Sequence, residues 1–341
     1  MASPVVENAE NAQPGKKSRL GALRWVLAIA LAAFLLYKAL HGVDWMQVWR
    51  TVLAARWGFL AGSAGISVGS FFLRALRWRI LLNAGTETPL PVGRVFRANM
   101  AGYLGNNVLP ARAGEVIRSL IVSNQSTLTR TYVLTTALSE RMTDAIVLVL
   151  WGSLMVSKVA KPAWMDGAAH LMTLGAAGGA LVLIVLPHME GLAHRILQWL
   201  PLPPKLKERL AGLMEQILLG VRAFHHWGRF LGFALLTAGI WMCDATSLMV
   251  SAHGLGFEMP FPAAVLLLTA MGLGSALPST PGYVGIYQFA AVSVLGIFGI
   301  GKDQALAYSL VTQAVGYVVI AILGVPGLYG AVAGKKVRVT N

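Results

Sequence analysis

Apolar positions fall in long continuous runs along this chain, at 22–40, 55–73, 131–157, 168–187, 230–250 and 304–332. Each comes within a few residues of the roughly 20 that carry an α-helix across a bilayer core. Two further stretches, 98–123 and 263–300, are as apolar but are broken by Gly, Pro and polar residues. Irregular backbone at membrane depth is tolerated only where protein buries it or where it lines a cavity. The pattern predicts an all-α polytopic membrane protein with six full spans and two re-entrant helical hairpins, eight apolar segments in all. A transmembrane barrel would show alternating segments of about 10 residues instead.

The two broken stretches echo each other. Met100 precedes Pro110 by ten residues and Met271 precedes Pro281 by ten. Pro110 is followed by Gly114 and Pro281 by Gly285, the same P-x-x-x-G spacing. Interrupted segments in corresponding positions of two halves are the sequence mark of an inverted-repeat transporter. Leu206, Leu210, Leu213, Ile217, Val221 and Phe224 share one helical face, which predicts an amphipathic helix on the membrane surface. Residues 1–20 are polar and read as a disordered cytoplasmic tail. Residues 21–333 read as one transmembrane domain, and 334–341 as a second cytoplasmic tail. The first apolar run continues past its small residues without a polar cleavage region, so it is expected to remain as a span.

Composition agrees with this class. Of 341 residues 56% are hydrophobic and 12% charged, and the mean hydropathy is +0.64. The net charge of +14 would suggest nucleic acid in a soluble protein, but here it fits basic loops facing anionic lipid. With the N-terminus inside and six crossings, 21 of the 28 Lys and Arg fall inside and 6 outside, Arg141 lying within a span. That bias predicts an inner-membrane protein with both termini cytoplasmic. Cys243 is the single cysteine. No Cys/His set has metal-ligand spacing and no Walker sequence is present, so no cofactor is expected.

The candidate chemistry is intramembrane charge. A charge at a span centre costs about 2.5–3.5 kcal/mol on insertion scales, so each needs a partner or water. SERMTD (139–144) places Glu140, Arg141 and Asp144 on one span; Glu140 and Asp144 share a face and Arg141 can pair with Asp144. In NMAGYLGNNVLPARAGEVIR (99–118), Arg112, Glu115 and Arg118 are each three apart, forming one stripe if the chain is helical there. Such a cluster can bind a phosphate through arginine forks, relay protons, or lock the hairpin with its own counter-charges. The second hairpin, LPSTPGYVGIYQ (277–288), offers Tyr283 and Gln288 among uncharged groups. These suit a neutral or sugar-like group, or repair of the broken helix.

NNVLPARAGEVIR (106–118), SERMTD (139–144), PSTPGYVGIYQ (278–288) and the Arg-Trp pair of LRALRWRILL (73–82) together resemble the flippase-like transmembrane family. This is the membrane portion of lysylphosphatidylglycerol synthases, also found as stand-alone proteins. The resemblance spans about 22–332 and implies handling or movement of lipids across the inner membrane, in phospholipid, polyprenyl-glycan or hopanoid pathways. No aminoacyl-transfer domain is expected here, so synthase activity is not implied. Family second hairpins often carry a glutamate after the Pro-Gly block, where this chain has Gln288.

The leading expectation is a non-enzymatic lipid translocator. Its phosphate-bearing headgroup would be held by Arg112 and Arg118 with Asn106 and Asn107. Glu140, Arg141 and Asp144 would brace the site or couple protonation to movement. The alternatives are an accessory subunit for envelope-biosynthesis proteins and an intramembrane transferase. The sequence fixes neither oligomeric state nor substrate.

Overall fold

The computed structural model describes residues 17–109, 113–156, 226–275 and 281–333, together with Leu174, Ala177, Gly178 and Lys207. All regular structure among them is helical. The helices are α1 (Lys17–Leu40), α2 (Trp45–Leu53), α3 (Trp57–Asn83), α4 (Val92–Val108), α5 (Ala113–Asn124), α6 (Arg130–Val156), α7 (Trp227–Gly254), α8 (Phe261–Gly274), α9 (Ile286–Ile297) and α10 (Lys302–Ala333). A short 3-10 turn, Pro281–Tyr283, precedes α9. The expected span 168–187 and the amphipathic helix at 205–224 lie outside the described residues, apart from those four isolated positions.

Among the described residues three helices are long and apolar enough to cross a membrane outright: Trp57–Asn83, Trp227–Gly254 and Lys302–Gly330. The first expected span becomes Ile29–Leu40 joined to Trp45–Leu53, bent by 85°. Asp44 caps α2 at that bend, accepting from the N–H groups of Met46 (2.9 Å) and Gln47 (3.3 Å). α6 has the length, 27 residues, but Glu140, Arg141 and Asp144 at its centre keep it from reading as an apolar span. The second expected span needs correction at its end. The run forecast to stop at 73 continues to Asn83, because Ile80, Leu81 and Leu82 extend its apolar face. Arg74 and Arg77, which lie beyond the forecast end and so count among the 21 inside cations of the sequence layout, are therefore buried helix residues. They leave the count of loop cations, as does buried Arg118.

Among the described residues α3–α6 and α7–α10 form two four-element units whose main contacts come in mated pairs; α3 on α10 has no such mate, and α1 and α2 pack on α9 and α10. α3 packs on α4 and α6, as α7 packs on α8 and α10. α4 packs on α5 and α5 on α6, as α8 packs on α9 and α9 on α10. Between units, α4 packs on α10 as α8 packs on α6. α3 and α7 face each other directly and run antiparallel. Arg56 N–H donates to the Gly254 carbonyl (2.8 Å), Ser67 meets Ser247 (2.9 Å), Ser70 donates to Asp244 (2.5 Å), and Arg77 donates to Thr237 (3.2 Å).

Glycine makes the first hairpin close. A Cβ on Gly114 would lie 1.8 Å from the Gly102 carbonyl oxygen and 2.6 Å from Asn106 Oδ1. The two arms therefore touch backbone to backbone, and Asn106 Oδ1 accepts from Gly114 N–H at 3.0 Å. Gly114→Ala should force the arms apart and lower stability by about 1–3 kcal/mol or more. Gly65→Ala, with open space around its Cβ, should be neutral or slightly stabilising. Thermal unfolding of the two purified variants in one detergent checks this; equal midpoints would remove the close-approach explanation.

Candidate functional site

The candidate site begins with two arginines one turn apart on α3. Arg77 is fully buried. Its Nη1 and Nη2 donate to Asp144 Oδ1 (2.6 Å) and Oδ2 (2.9 Å), a bidentate pair, and Nη2 also donates to Glu140 Oε1 (2.9 Å). Glu140 and Asp144 project from one face of α6 because they are four residues apart. Glu140 Oε2 accepts from Arg118 Nη1 (3.0 Å), and Arg118 Nε donates to Glu115 Oε2 (2.6 Å). Glu115 Oε1 accepts from Arg141 Nε (2.8 Å), and Arg141 lies 3.9 Å from Asp144. The six groups form a closed ring of alternating sign, drawn from α3, α5 and α6.

Arg74 attaches the second unit to this ring. It lies 3.9 Å from Asp144 and makes a close ion pair with Asp244 on α7. Four arginines thus meet four carboxylates with no net charge among the described members. A buried ion is tolerated when it is paired and hydrogen-bonded, and charge-assisted bidentate bonds are the strong ones. Each guanidinium also lies over a ring: Arg74 over Trp241 (5.1 Å), Arg77 over Phe233 (5.1 Å), Arg118 over Trp78 (4.5 Å) and Arg141 over Tyr103 (5.8 Å).

A cavity of about 490 Å³ opens beside the ring, lined by residues from every helix α3 to α10 and from the 3-10 turn. That is within the range of sites for small molecules and headgroups. Of the residues singled out in the sequence, Asn106, Asn107, Glu115, Arg141, Asp144 and Tyr283 line it. Arg118 and Glu140 stand behind the wall, in the buried part of the ring. Gln288 is buried away from the wall. Its Oε1 accepts from Gly285 N–H (2.7 Å) at the start of α9 and its Nε2 donates to Gln313 on α10 (2.5 Å). Arg112 lies outside the described residues.

Sequence reasoning missed Arg74 and Arg77 as site residues and gave Asp244 no partner. The spacing of FLRALRW, two arginines a turn apart inside a run that resumes with ILL, was the available signal. No group of three or more His, Cys, Asp or Glu placed for a metal occurs among the described residues.

This is a polytopic helical membrane protein whose buried charge ring flanks a cavity between two helical units. The chain belongs to the lysylphosphatidylglycerol synthase TM region family, whose model matches residues 25–324. It is similar to two UPF0104 membrane proteins of Methanothermobacter thermautotrophicus. One is 22% identical over 287 residues, 78% of this chain and 81% of the relative. The other is 23% identical over 307 residues, 83% and 87%. It is also similar to the glycosyltransferase AglD of Haloferax volcanii, 24% identical over 338 residues, 89% of this chain but 53% of that protein.

The ring predicts a stability signature. Glu140→Ala should cost about 3–5 kcal/mol, because Arg77 and Arg118 each lose a carboxylate while remaining buried. Glu140→Gln, which keeps an acceptor but not the charge, should cost less. Unfolding midpoints of the purified variants check the order; a wild-type midpoint for Glu140→Ala would contradict the ring's structural role.

Proposed function

We propose that this protein is a non-catalytic translocator that moves a lipid headgroup across the bilayer through the cavity between its two units. The observation that carries the proposal is that cavity: all eight helices of the two units line it, and it holds ionised groups within a membrane domain. Intramembrane charges facing a cavity mark substrate or ion pathways. The mated contacts and antiparallel α3 and α7 support an inverted repeat. A two-fold axis exchanging antiparallel helices is perpendicular to both, and for spanning helices it lies in the bilayer plane. The broken stretches at 98–123 and 263–300 then act as re-entrant hairpins, completing six spans with the termini inside a cytoplasmic membrane.

Rocking one unit against the other around the cavity is the movement such repeats use. Arg74–Asp244 joins the units at the cavity wall, so it must remake its contacts in each state. Purified protein in vesicles, with chain-labelled lipids exposed to a membrane-impermeant quencher, tests the proposal. Wild type should bring inner-leaflet lipid to the quencher. Asp244→Asn should slow this about tenfold or more, equivalent to about 1.4 kcal/mol in barrier. A rate equal to that of empty vesicles would overturn the proposal.

The similarity to a glycosyltransferase favours a second reading, an intramembrane transferase. Against it, each carboxylate on the cavity wall is paired with an arginine, which suits neither a general acid nor a general base. Turnover of a lipid-linked sugar donor by the purified chain would establish it.

A further inference from the structure

We infer that the cavity recognises an uncharged, hydroxyl-rich group, a sugar or another polyol, and discriminates against an anionic phosphate headgroup. This rests on the translocator reading for the route the ligand takes, and on the cavity wall for its chemistry.

An anion site needs donors with no acceptor competing for them. Charged donors of that kind do not occur among the described residues of the wall. Its two described arginines are already engaged, Arg74 by Asp244 and Asp144 and Arg141 by Glu115 and Asp144. Arg118 of the first hairpin is 2% exposed; it donates to Glu115, Glu140 and Asn99, and its Nη2, without a partner, is buried behind the wall. Among the described residues the wall presents two cations, Arg74 and Arg141, against three carboxylates, Glu115, Asp144 and Asp244. A phosphate brought to these described groups would meet a cluster already neutral in itself, in which Arg77 and Arg118 stand behind Asp144 and Glu115, and would have to break ion pairs to reach a guanidinium. Like-charge contact in a site of low dielectric is a strong discriminator.

A hydroxyl group fits the same wall without breaking anything. It donates as well as accepts, so it can give a hydrogen bond to the spare lone pairs of Asp244 or Glu115. It can also take one from an uncharged donor. Such donors remain on the wall: Asn107, Ser251 and Tyr283 make no side-chain hydrogen bond among the described residues, and only the Oδ1 of Asn106 is used. The opposite part of the wall, from Leu60, Leu268 and Val315 to Ile320, is apolar and suits hydrocarbon next to the polar group.

The test uses the full-length protein in phosphatidylcholine vesicles, each doped with a chain-labelled lipid: monoglucosyl diacylglycerol or phosphatidic acid. The glucosyl lipid should move at least about tenfold faster than phosphatidic acid. Tyr283→Phe should slow the glucosyl lipid several-fold and leave phosphatidic acid unchanged. Phosphatidic acid moving as fast as the glucosyl lipid overturns this inference while the translocator reading stands. If neither lipid moves, the translocator reading falls, and retention of the two lipids by the purified protein in native mass spectrometry decides the inference. Preferential retention of the glucosyl lipid supports it, and equal retention or preference for phosphatidic acid overturns it. Displacement of that lipid by free glucose at equal concentration would support the same chemistry with a soluble sugar as its source.

Discussion

Arg77 cannot leave the position it holds without unmaking the centre of the molecule. Its guanidinium is fully buried, and moving such an ion out of water costs several kcal/mol before any partner is counted. Glu140 and Asp144 supply that partner from consecutive turns of α6, closing on the guanidinium from two sides. Each of them then carries a second obligation. Glu140 must satisfy Arg118 on α5, and Asp144 must balance Arg74 and Arg141. The requirement that every buried charge be matched thus propagates from one residue to the relative placement of α3, α5 and α6. The hairpin α4–α5 can dock in only one register on α6, the register in which Glu115 bridges Arg118 and Arg141.

The second unit makes the equivalent connection without charge. Where α5 is tied to α6 by Arg118–Glu140 and Glu115–Arg141, α9 is tied to α10 by Gln288–Gln313 (2.5 Å) and Tyr287–Thr312 (2.6 Å). Gly282 at φ +68 turns the chain into α9, and its carbonyl accepts from Gln313 (2.8 Å) and Tyr317 (2.6 Å). The same packing problem, tying the second arm of a helical hairpin to the helix that follows, is solved by ion pairs in one unit and neutral hydrogen bonds in the other. The charged groups described on the cavity wall consequently come from α3–α6, Asp244 excepted. Asp244 is the single charge that α7–α10 contributes to the ion-pair network among the described residues.

Much of the helical architecture was legible because it follows from hydrophobic run length, and the hairpins from Gly and Pro inside such runs. The pairing of Arg118 with Glu115 could be read from three-residue spacing, and that of Arg141 with Asp144 likewise. What could not be read was anything that crosses the fold. Arg77 meets Glu140 across 63 residues and Arg74 meets Asp244 across 170, and no local pattern reports such a partner. Arginine in a run also lowers hydropathy, so the helix that buries Arg74 and Arg77 looked as if it ended before them. Gln288 carried two readings for a related reason. A polar side chain three residues after Gly285 is as well placed to cap α9 as to face a ligand, and only the bond to Gly285 N–H separates the two.

The division of the ring into a front and a back bears on how a structural network can also be a site. Glu115, Arg141 and Asp144 face the cavity, whereas Arg77, Glu140 and Arg118 lie behind them at 0–2% exposure. The back half contains the bidentate Arg77–Asp144 bond and both Glu140 bonds, the contacts that lock α3, α5 and α6 together. The front half contains the one long link, Arg141 to Asp144 at 3.9 Å, and beyond it the bridge from Arg74 to the second unit. A polar ligand in the cavity can therefore exchange contacts with the front groups while the back of the ring keeps their charges balanced. Satisfied polar networks hold a site rigid; here Glu115 and Asp144, on the cavity wall, each have more than one arginine partner, while the unpartnered Arg118 Nη2 lies in the buried half.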